Sequence, residues 1–317
     1  MGHIYTKLFE APQSSGRVIT VGNFDGLHRG HCALLAELVS QADARGLEPL
    51  LVTFTPHPRE VINPAKAPKL IFLPGEEQEA LRNVYQGDVL IMPFTADIRN
   101  LTAREFIAEL LIDKLAMKAL VSGQNNTIGK DRCGDRERLE QLSRELHYDF
   151  VIVPPVVING RRISSSAIRE AIANGDMQAA NRSLSQPYSI SGEVIRGMGL
   201  GRKLGYPTAN LKYEVRKALP KAGVYATHVI VNGETYDGMM FIGKNYLNPD
   251  DAFSVEANIL DFDEDIYGEI VTFQPVAFVR DNRRMSSQDE LIEQIRKDKT
   301  MIESILEKKE TEHVCEK

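Results

Sequence analysis

The chain has 317 residues, 43% of them hydrophobic, which supports two domains with separate cores and excludes a disordered chain. Its net charge of −6 divides into −1 over residues 1–186 (21 basic, 22 acidic) and −5 over 187–317 (17 basic, 22 acidic). Neither half has the basic excess that phosphate neutralisation leaves on a nucleic-acid binder. The longest apolar stretches fall far short of the roughly 18 residues of a membrane helix, and no signal peptide opens the chain. Cys32, Cys133 and Cys315 form no paired spacing. The expected setting is a reducing cytoplasm, with small molecules as partners and neither nucleic acid nor membrane; the sequence carries no signal for an oligomeric state.

In chain order, Arg17–Val21 reads as a strand, and after a loop to Gly30 the residues Leu34, Leu35, Leu38 and Val39 share one helix face. Residues 50–54, 89–91, 119–121 and 150–153 read as four more buried strands. Their alternation with helical patterns predicts an open α/β domain with a parallel, Rossmann-like sheet. After Pro187 the pattern becomes short strands and turns, at 188–195, 223–231, 236–242, 254–260 and 269–273, and predicts an antiparallel β-barrel. Ser287 with Glu290 forms a capping box, and Leu291, Ile295, Ile302 and Ile305 form the apolar stripe of a closing helix. The charged tail after Lys308 is expected to fray. The change of periodicity sets two domains, 1–186 and 187–317.

Between the first strand and the first helix, residues 21–31 read Val-Gly-Asn-Phe-Asp-Gly-Leu-His-Arg-Gly-His. In an open parallel sheet this is where ligands bind, beyond the carboxyl ends of the strands. Gly22, Gly26 and Gly30 allow close backbone approach, the helix N-terminus favours a phosphate, and His28 and His31 can donate to phosphoryl oxygens. Taken alone, the pair also reads as a helix cap beside a surface histidine; as a zinc site it has no clear third ligand. Farther on, Asn159 and Gly160 make a turn. Residues 163–169, Ile-Ser-Ser-Ser-Ala-Ile-Arg, open a helix whose serines and free N–H groups suit an anion, with Arg169 one turn in.

These strings, with Val-Thr-Phe-Thr-Pro-His-Pro at 52–58, resemble the nucleotidyltransferase module of bacterial bifunctional riboflavin kinase/FAD synthetases. The resemblance implies that FMN phosphate attacks the α-phosphate of ATP, giving FAD and pyrophosphate. It places Gly22, Asn23, Phe24, Asp25, Gly26, Ser164, Ser165 and Arg169 around ATP, with His28 and His31 as the catalytic phosphate ligands and Asn125 on the flavin side. The family pattern at 123–129 is Gly-x-Asp/Asn-Phe-x-Phe-Gly. Here Asn126 and Ile128 replace its two aromatic residues, an exchange expected to remove ring surface from the flavin side and leave ATP binding intact.

Residues 197–210 read Gly-Met-Gly-Leu-Gly-Arg-Lys-Leu-Gly-Tyr-Pro-Thr-Ala-Asn. With G-x-G-x-G spacing and no helix expected after it, this is neither a dinucleotide fingerprint nor a Walker loop. It offers a flap rich in N–H groups, with Gly197, Gly199, Gly201 and Gly205 supplying freedom and Arg202 a countercharge. Thr208 and Asn210, two apart on one strand face, suit a Mg2+ ion that bridges ATP phosphates. The string resembles the riboflavin kinase signature of the same family, and residues 254–268 match its next signature. That resemblance makes Glu256 the base for the riboflavin 5′-hydroxyl and Arg280 a flavin-side arginine. The loop at 244–249, Lys-Asn-Tyr-Leu-Asn-Pro, departs from the family's Arg/Asn-Pro-Thr.

The leading expectation is therefore a bifunctional enzyme with ATP as co-substrate and riboflavin, FMN and FAD as substrates and products. Two alternatives stand beside it: a riboflavin kinase with a weak or silent adenylyltransferase, and a non-catalytic flavin sensor.

Overall fold

The computed structural model describes residues 2–10, 12–130, 133–243 and 253–315, so the departure at 244–249 lies outside the described residues. The chain divides into two compact units, Met1–Ser165 and Ser166–Lys317.

The first unit is built on a six-stranded sheet of β1 (Ile4–Tyr5), β2 (Arg17–Val21), β3 (Glu48–Thr55), β4 (Asp88–Pro93), β5 (Met117–Gly123) and β6 (Asp149–Val153). Its order is β1-β4-β3-β2-β5-β6 and every pair is parallel. All five residues of β2 are buried, as a strand covered on both faces requires. The five expected strands are all present; β2 has its expected bounds and the other four are longer by one to four residues. The edge strand β1 escaped the pattern because two residues carry no periodicity; Ile4 and Tyr5 are held by pairing with Val89 and Leu90.

The helix Arg29–Arg45 packs on this sheet through Leu34, Leu35, Leu38 and Ala42, with Val39 half-buried at the stripe's edge. It ends where Gly46 takes the left-handed conformation (φ 63°) and returns its N–H to Ala42 and Asp43. From β2 the chain runs outward through β3 and β4 and then comes back to add β5 and β6 on the opposite side. That reversal beside β2 is the topological switch point of an open α/β sheet. A small hairpin of β7 (Val157–Ile158) and β8 (Arg161–Arg162) turns at Asn159 and Gly160, both at positive φ, as the Asn-Gly pair predicts.

The second unit is a closed antiparallel barrel of β9 (Ile190–Ile195), β10 (Ala209–Tyr213), β11 (Gly223–Val231), β12 (Glu234–Gly243), β13 (Ser254–Ile259) and β14 (Ile270–Arg280). Its order is β10-β13-β12-β11-β14-β9, and β9 closes it by pairing with β10. β14 continues seven residues beyond its expected end at Phe273. Pro275 signals a break because it has no N–H to give a ladder, but the β11–β14 pairing absorbs it at a register shift between Ala226 and Thr227.

The closing helix, Gln288–Cys315, seats Ile302 and Leu306 on Val224, Ala226, Met239 and Val276. Its capping differs from a simple box. Ser287 Oγ accepts the Glu290 N–H (3.1 Å), but the Glu290 carboxylate returns to the N–H and hydroxyl of Ser286 (2.8 and 2.6 Å). The helix also runs past Lys308, where fraying was expected. Neither Gly nor Pro follows to stop it, and charge alone does not terminate a helix.

Leu38 has no exposed surface under the sheet. Leu38→Ala should cost about 2–5 kcal/mol of first-unit stability, measured as a lowered denaturant midpoint by circular dichroism.

Candidate active sites

In the first unit, pairing of β2 with β5 ends at Ile19↔Leu120, whereas pairing with β3 continues to Val21↔Val52. The strand ends part there, and a cavity of about 230 Å³ opens beyond them. Its walls come from the loop after β2 (Gly22, Asn23, Phe24, His28), the first turn of the helix that follows (Gly30, His31), the turn after β5 (Asn125, Asn126), the end of β6, and Arg162 and Ser164.

His28 is the N-cap of the helix, its Nδ1 accepting the His31 N–H at 3.2 Å. The two imidazoles stack with centroids 3.6 Å apart and planes 15° from parallel, and Phe24 leans on His31 at 4.9 Å. A side chain at position 30 would put its Cβ 3.1 Å from the His28 ring, so glycine is what lets that ring lie over the helix start. Burial first, and then the neighbouring His28, hold the His31 pKa well below its ordinary value of 6.5. His31 Nδ1 is buried and makes no hydrogen bond among the described residues. The pair is thus the cap of the helix and a wall of the cavity together.

The remaining residues expected around ATP divide by place. Gly22, Asn23, Phe24 and Ser164 line the cavity, whereas Asp25, Gly26 and Ser165 stand behind it. Asp25 is buried, and its Oδ1 accepts the N–H groups of Ile71 and Phe72 at 2.9 Å each. The carboxylate therefore braces the loop instead of facing the cavity. Ser165 Oγ donates to the Asp25 carbonyl at 3.0 Å, tying the serine turn to the same loop. Arg169 lies half-buried one turn into the helix Ser165–Ala173, in the second compact unit.

On the β5 side, the Asn125 amide faces the Arg162 guanidinium, whose N–H groups it satisfies when its oxygen is turned toward them. Arg162 went unnoticed in the sequence, although it directly precedes the serine-rich run and sits on β8 as a ready cation. The two exchanged aromatic positions part company. Asn126 lines the cavity, but Ile128 is buried in the core of the unit and bridges to Gly134. Its replacement of an aromatic residue is a matter of packing, and the expected loss of ring surface from the flavin side reduces to Asn126.

In the second unit a cavity of about 370 Å³ lies between barrel, glycine flap and closing helix. Antiparallel register sets Asn210 opposite Glu256. Thr208, immediately before β10, donates its hydroxyl to Glu256 Oε2 at 2.8 Å, and Asn210 Nδ2 lies 3.4 Å from the same hydroxyl. Burial raises the Glu256 pKa, opposed by hydrogen bonds from Thr208, Asn210 and Ser254. Val224, Met239, Phe241, Leu291 and Ile295 give the cavity an apolar wall.

Gly197, Gly199 and Gly201 line this cavity, and a Cβ on Gly197 would fall 2.6 Å from the Asn210 amide. The flap contains one helical turn, Leu200–Lys203, where none was expected; Gly205 (φ 83°) turns the chain out of it. Arg202 points elsewhere, into an adjoining cavity of about 260 Å³ shared with Thr208, Phe262, Tyr267 and the acidic residues Asp263, Glu264 and Asp265. Arg280 lines the larger cavity, but its Nε and Nη2 are fastened to the Asp298 carboxylate on the closing helix (2.8–3.0 Å).

A switch-point phosphate pocket followed by a barrel with a buried carboxylate under a glycine flap defines a two-domain, nucleotide-dependent transferase. Residues 10–167 match the FAD synthetase family and residues 184–306 the riboflavin kinase family. A bifunctional riboflavin kinase/FMN adenylyltransferase of Escherichia coli K12 is 36% identical over 292 residues, covering 92% of this chain and 93% of the relative. The Pseudomonas fluorescens and Bacillus subtilis relatives of the same description are each 34% identical, covering 88% and 89% of this chain and 90% of their own lengths. A crystal structure described as a macrolide-efflux protein from Streptococcus pneumoniae superposes with a TM-score of 0.84 at 31% identity, covering 96% of this chain and 99% of that one. Among the described residues no helix is long and apolar enough to cross a membrane. This chain belongs to the bifunctional riboflavin kinase/FMN adenylyltransferase family.

The lowered His31 pKa has a definite sign. The unfolded chain takes up this proton near pH 6.5 and the folded chain only at lower pH. The stability that neutral His31 contributes is therefore complete above 6.5 and is lost as pH falls toward the folded value. Denaturant unfolding of the ligand-free protein from about pH 7.5 to about pH 5 should show that loss, and His31→Gln should flatten it.

Proposed function

We propose that residues 187–317 phosphorylate riboflavin to FMN with ATP and residues 1–186 adenylylate FMN to FAD with a second ATP. The observation that carries the kinase assignment is the Thr208–Glu256–Asn210 cluster, because Thr208 borders both cavities of the second unit. The larger, with its apolar wall, takes the isoalloxazine; the smaller, with Phe262, Tyr267 and Arg202, takes the nucleotide. The 5′-hydroxyl is then delivered to the place where the cavities meet.

A neutral alcohol is a poor nucleophile, so this step needs a base at the hydroxyl. Glu256 is the carboxylate within reach of that place, and its raised pKa makes it a better proton acceptor than an exposed glutamate. Its proton count balances: the hydroxyl proton passes to Glu256 as the oxygen bonds to the γ-phosphorus and ADP leaves. The oxygens of Thr208 and Asn210, gathered beside a carboxylate, fit Mg2+, which when bound neutralises phosphate charge.

Adenylyl transfer makes a different demand. FMN phosphate is already anionic and needs no base, so positioning and charge stabilisation are sufficient. His28, His31 and Arg162 supply donors around the cavity, and Ser164 adds a hydroxyl. A flavin sensor would gain nothing from a buried carboxylate held by three polar neighbours, since that group serves only a proton transfer. The substrates are cytoplasmic small molecules, which suits a chain with no basic excess in either half.

Chromatography of a reaction holding riboflavin, ATP and Mg2+ should show FMN rising and then converting to FAD. Glu256→Gln should cut FMN formation by roughly 10²–10⁴-fold and leave conversion of added FMN intact; His28→Ala should stop the unmodified sequence of products at FMN. FMN accumulating without FAD in the unmodified chain would establish the kinase-only reading, and no product at all the sensor.

The pH dependence of the kinase step follows from the same carboxyl. Its rate should fall as pH drops through a pKa above the ordinary glutamate value of 4.5, because the protonated acid accepts nothing. A kcat profile for FMN formation with an acid limb at or below 4.5 would remove Glu256 as the base.

A further inference from the structure

Beyond Ile19↔Leu120 the strands β2 and β5 no longer pair, yet the loops that follow them form opposite walls of one cavity. Asn126 spans the gap. Its Nδ2 donates to the Val21 carbonyl, the last residue of β2, at 2.7 Å. Its Oδ1 accepts the Thr127 N–H at 3.0 Å, which fixes which way the amide faces, and its own N–H closes a turn on the Gly123 carbonyl at 3.0 Å. One side chain thus joins the end of β2, which leads through the next loop to His28 and His31, to the loop that carries Asn125. An aromatic ring, which the family pattern places here, has no hydrogen bond of this kind to offer Val21.

We propose that Asn126 is a positioning residue for adenylyl transfer, a carboxamide clip that sets the phosphate loop against the flavin-side loop. The inference rests on the adenylyltransferase reading above. In that reaction a phosphate oxygen of FMN bonds to the α-phosphorus of ATP while the bond to the bridging oxygen breaks and pyrophosphate leaves. No proton moves, so the rate depends on how the two anionic groups are aligned, and a displacement of about 1 Å is worth up to roughly a hundredfold. The clip spans the two loops that hold the two groups. Its loss therefore lowers the rate of the chemical step more than it weakens either substrate's binding.

The test is the single-turnover rate constant for FAD formation from FMN and ATP, which the fraction of active protein does not alter. It is measured with steady-state KM values, and riboflavin phosphorylation by the same chains serves as an internal control. Asn126→Ala and Asn126→Asp should lower the rate constant by about tenfold or more, with both KM values within about threefold and the kinase rate unchanged. Asn126→His, whose Nδ1–H reaches the place of the amide donor, should keep most of the rate. Rate constants equal to that of the unmodified chain in the Ala and Asp variants overturn the clip, as does a loss confined to KM. If those two variants do not fold, Asn126→His decides: a folded variant with a tenfold lower rate constant also overturns it. An unmodified chain that makes FMN but no FAD overturns the adenylyltransferase reading itself, and the clip with it.

Discussion

The parting of β2 and β5 is the constraint on which the first half of the molecule turns. A parallel sheet that grows outward on one side of β2 and then on the other must leave the carboxyl ends of the central strands without a common neighbour. The pairing with β5 stops two residues short of the pairing with β3, and everything that lines the cavity hangs from that difference. The loop after β2 leads straight into the helix whose cap is His28, so the first donors at the site are placed by chain continuity. Asp25 and Ser165 then pin this loop from behind, through Ile71, Phe72 and the Asp25 carbonyl. Polar groups that read as ligands in the sequence are partly spent on holding the ligands still.

The second half meets the opposite problem. A closed barrel has no switch point and no free edge strand, so its site is made from register and from a flap. Antiparallel pairing sets Asn210 across from Glu256, and Gly197 leaves room for the flap to approach the Asn210 amide. Burial of Glu256 disfavours its charge, while Thr208, Asn210 and Ser254 restore part of it. The result is a carboxylate that remains a base but binds its proton more tightly than an exposed glutamate. Arg280 belongs to this architecture through Asp298: a bidentate pair joins the end of β14 to the helix that supplies Leu291 and Ile295.

Much of this was legible in the sequence because the signals were local. Buried strands of five residues, the Asn159-Gly160 hairpin and the apolar stripe of the closing helix each follow from neighbours in the chain. What escaped was set by residues far apart. Ile128 and Asn126 stand two positions apart in one motif, yet one packs into the core and the other faces the cavity, a division made by the bridge to Gly134 and the bond to Val21. Arg162 has no periodicity to announce it; its role arises when a hairpin brings it to Asn125. The length of β14 was missed because Pro275 ends a strand in most contexts, and the register shift that accommodates it is invisible in one dimension.

The two sites treat charge in opposite ways, and the chemistry explains why. Riboflavin is neutral, so on the proposed assignment the barrel supplies its proton acceptor in Glu256 and tolerates the acidic loop at Asp263, Glu264 and Asp265 beside Arg202. Once phosphorylated, the product carries its own negative charge, and such an acceptor is of no further use to it. Among the described residues the first site has no carboxylate in its cavity wall; the one its sequence motif contains, Asp25, is turned back to bind the N–H groups of Ile71 and Phe72. A carboxylate facing an anionic nucleophile and a triphosphate would repel both. Stacked imidazoles bring no such repulsion, and burial disfavours the charged form of His31. The division of labour between the halves is therefore written in the protonation each substrate brings, before any catalytic group acts.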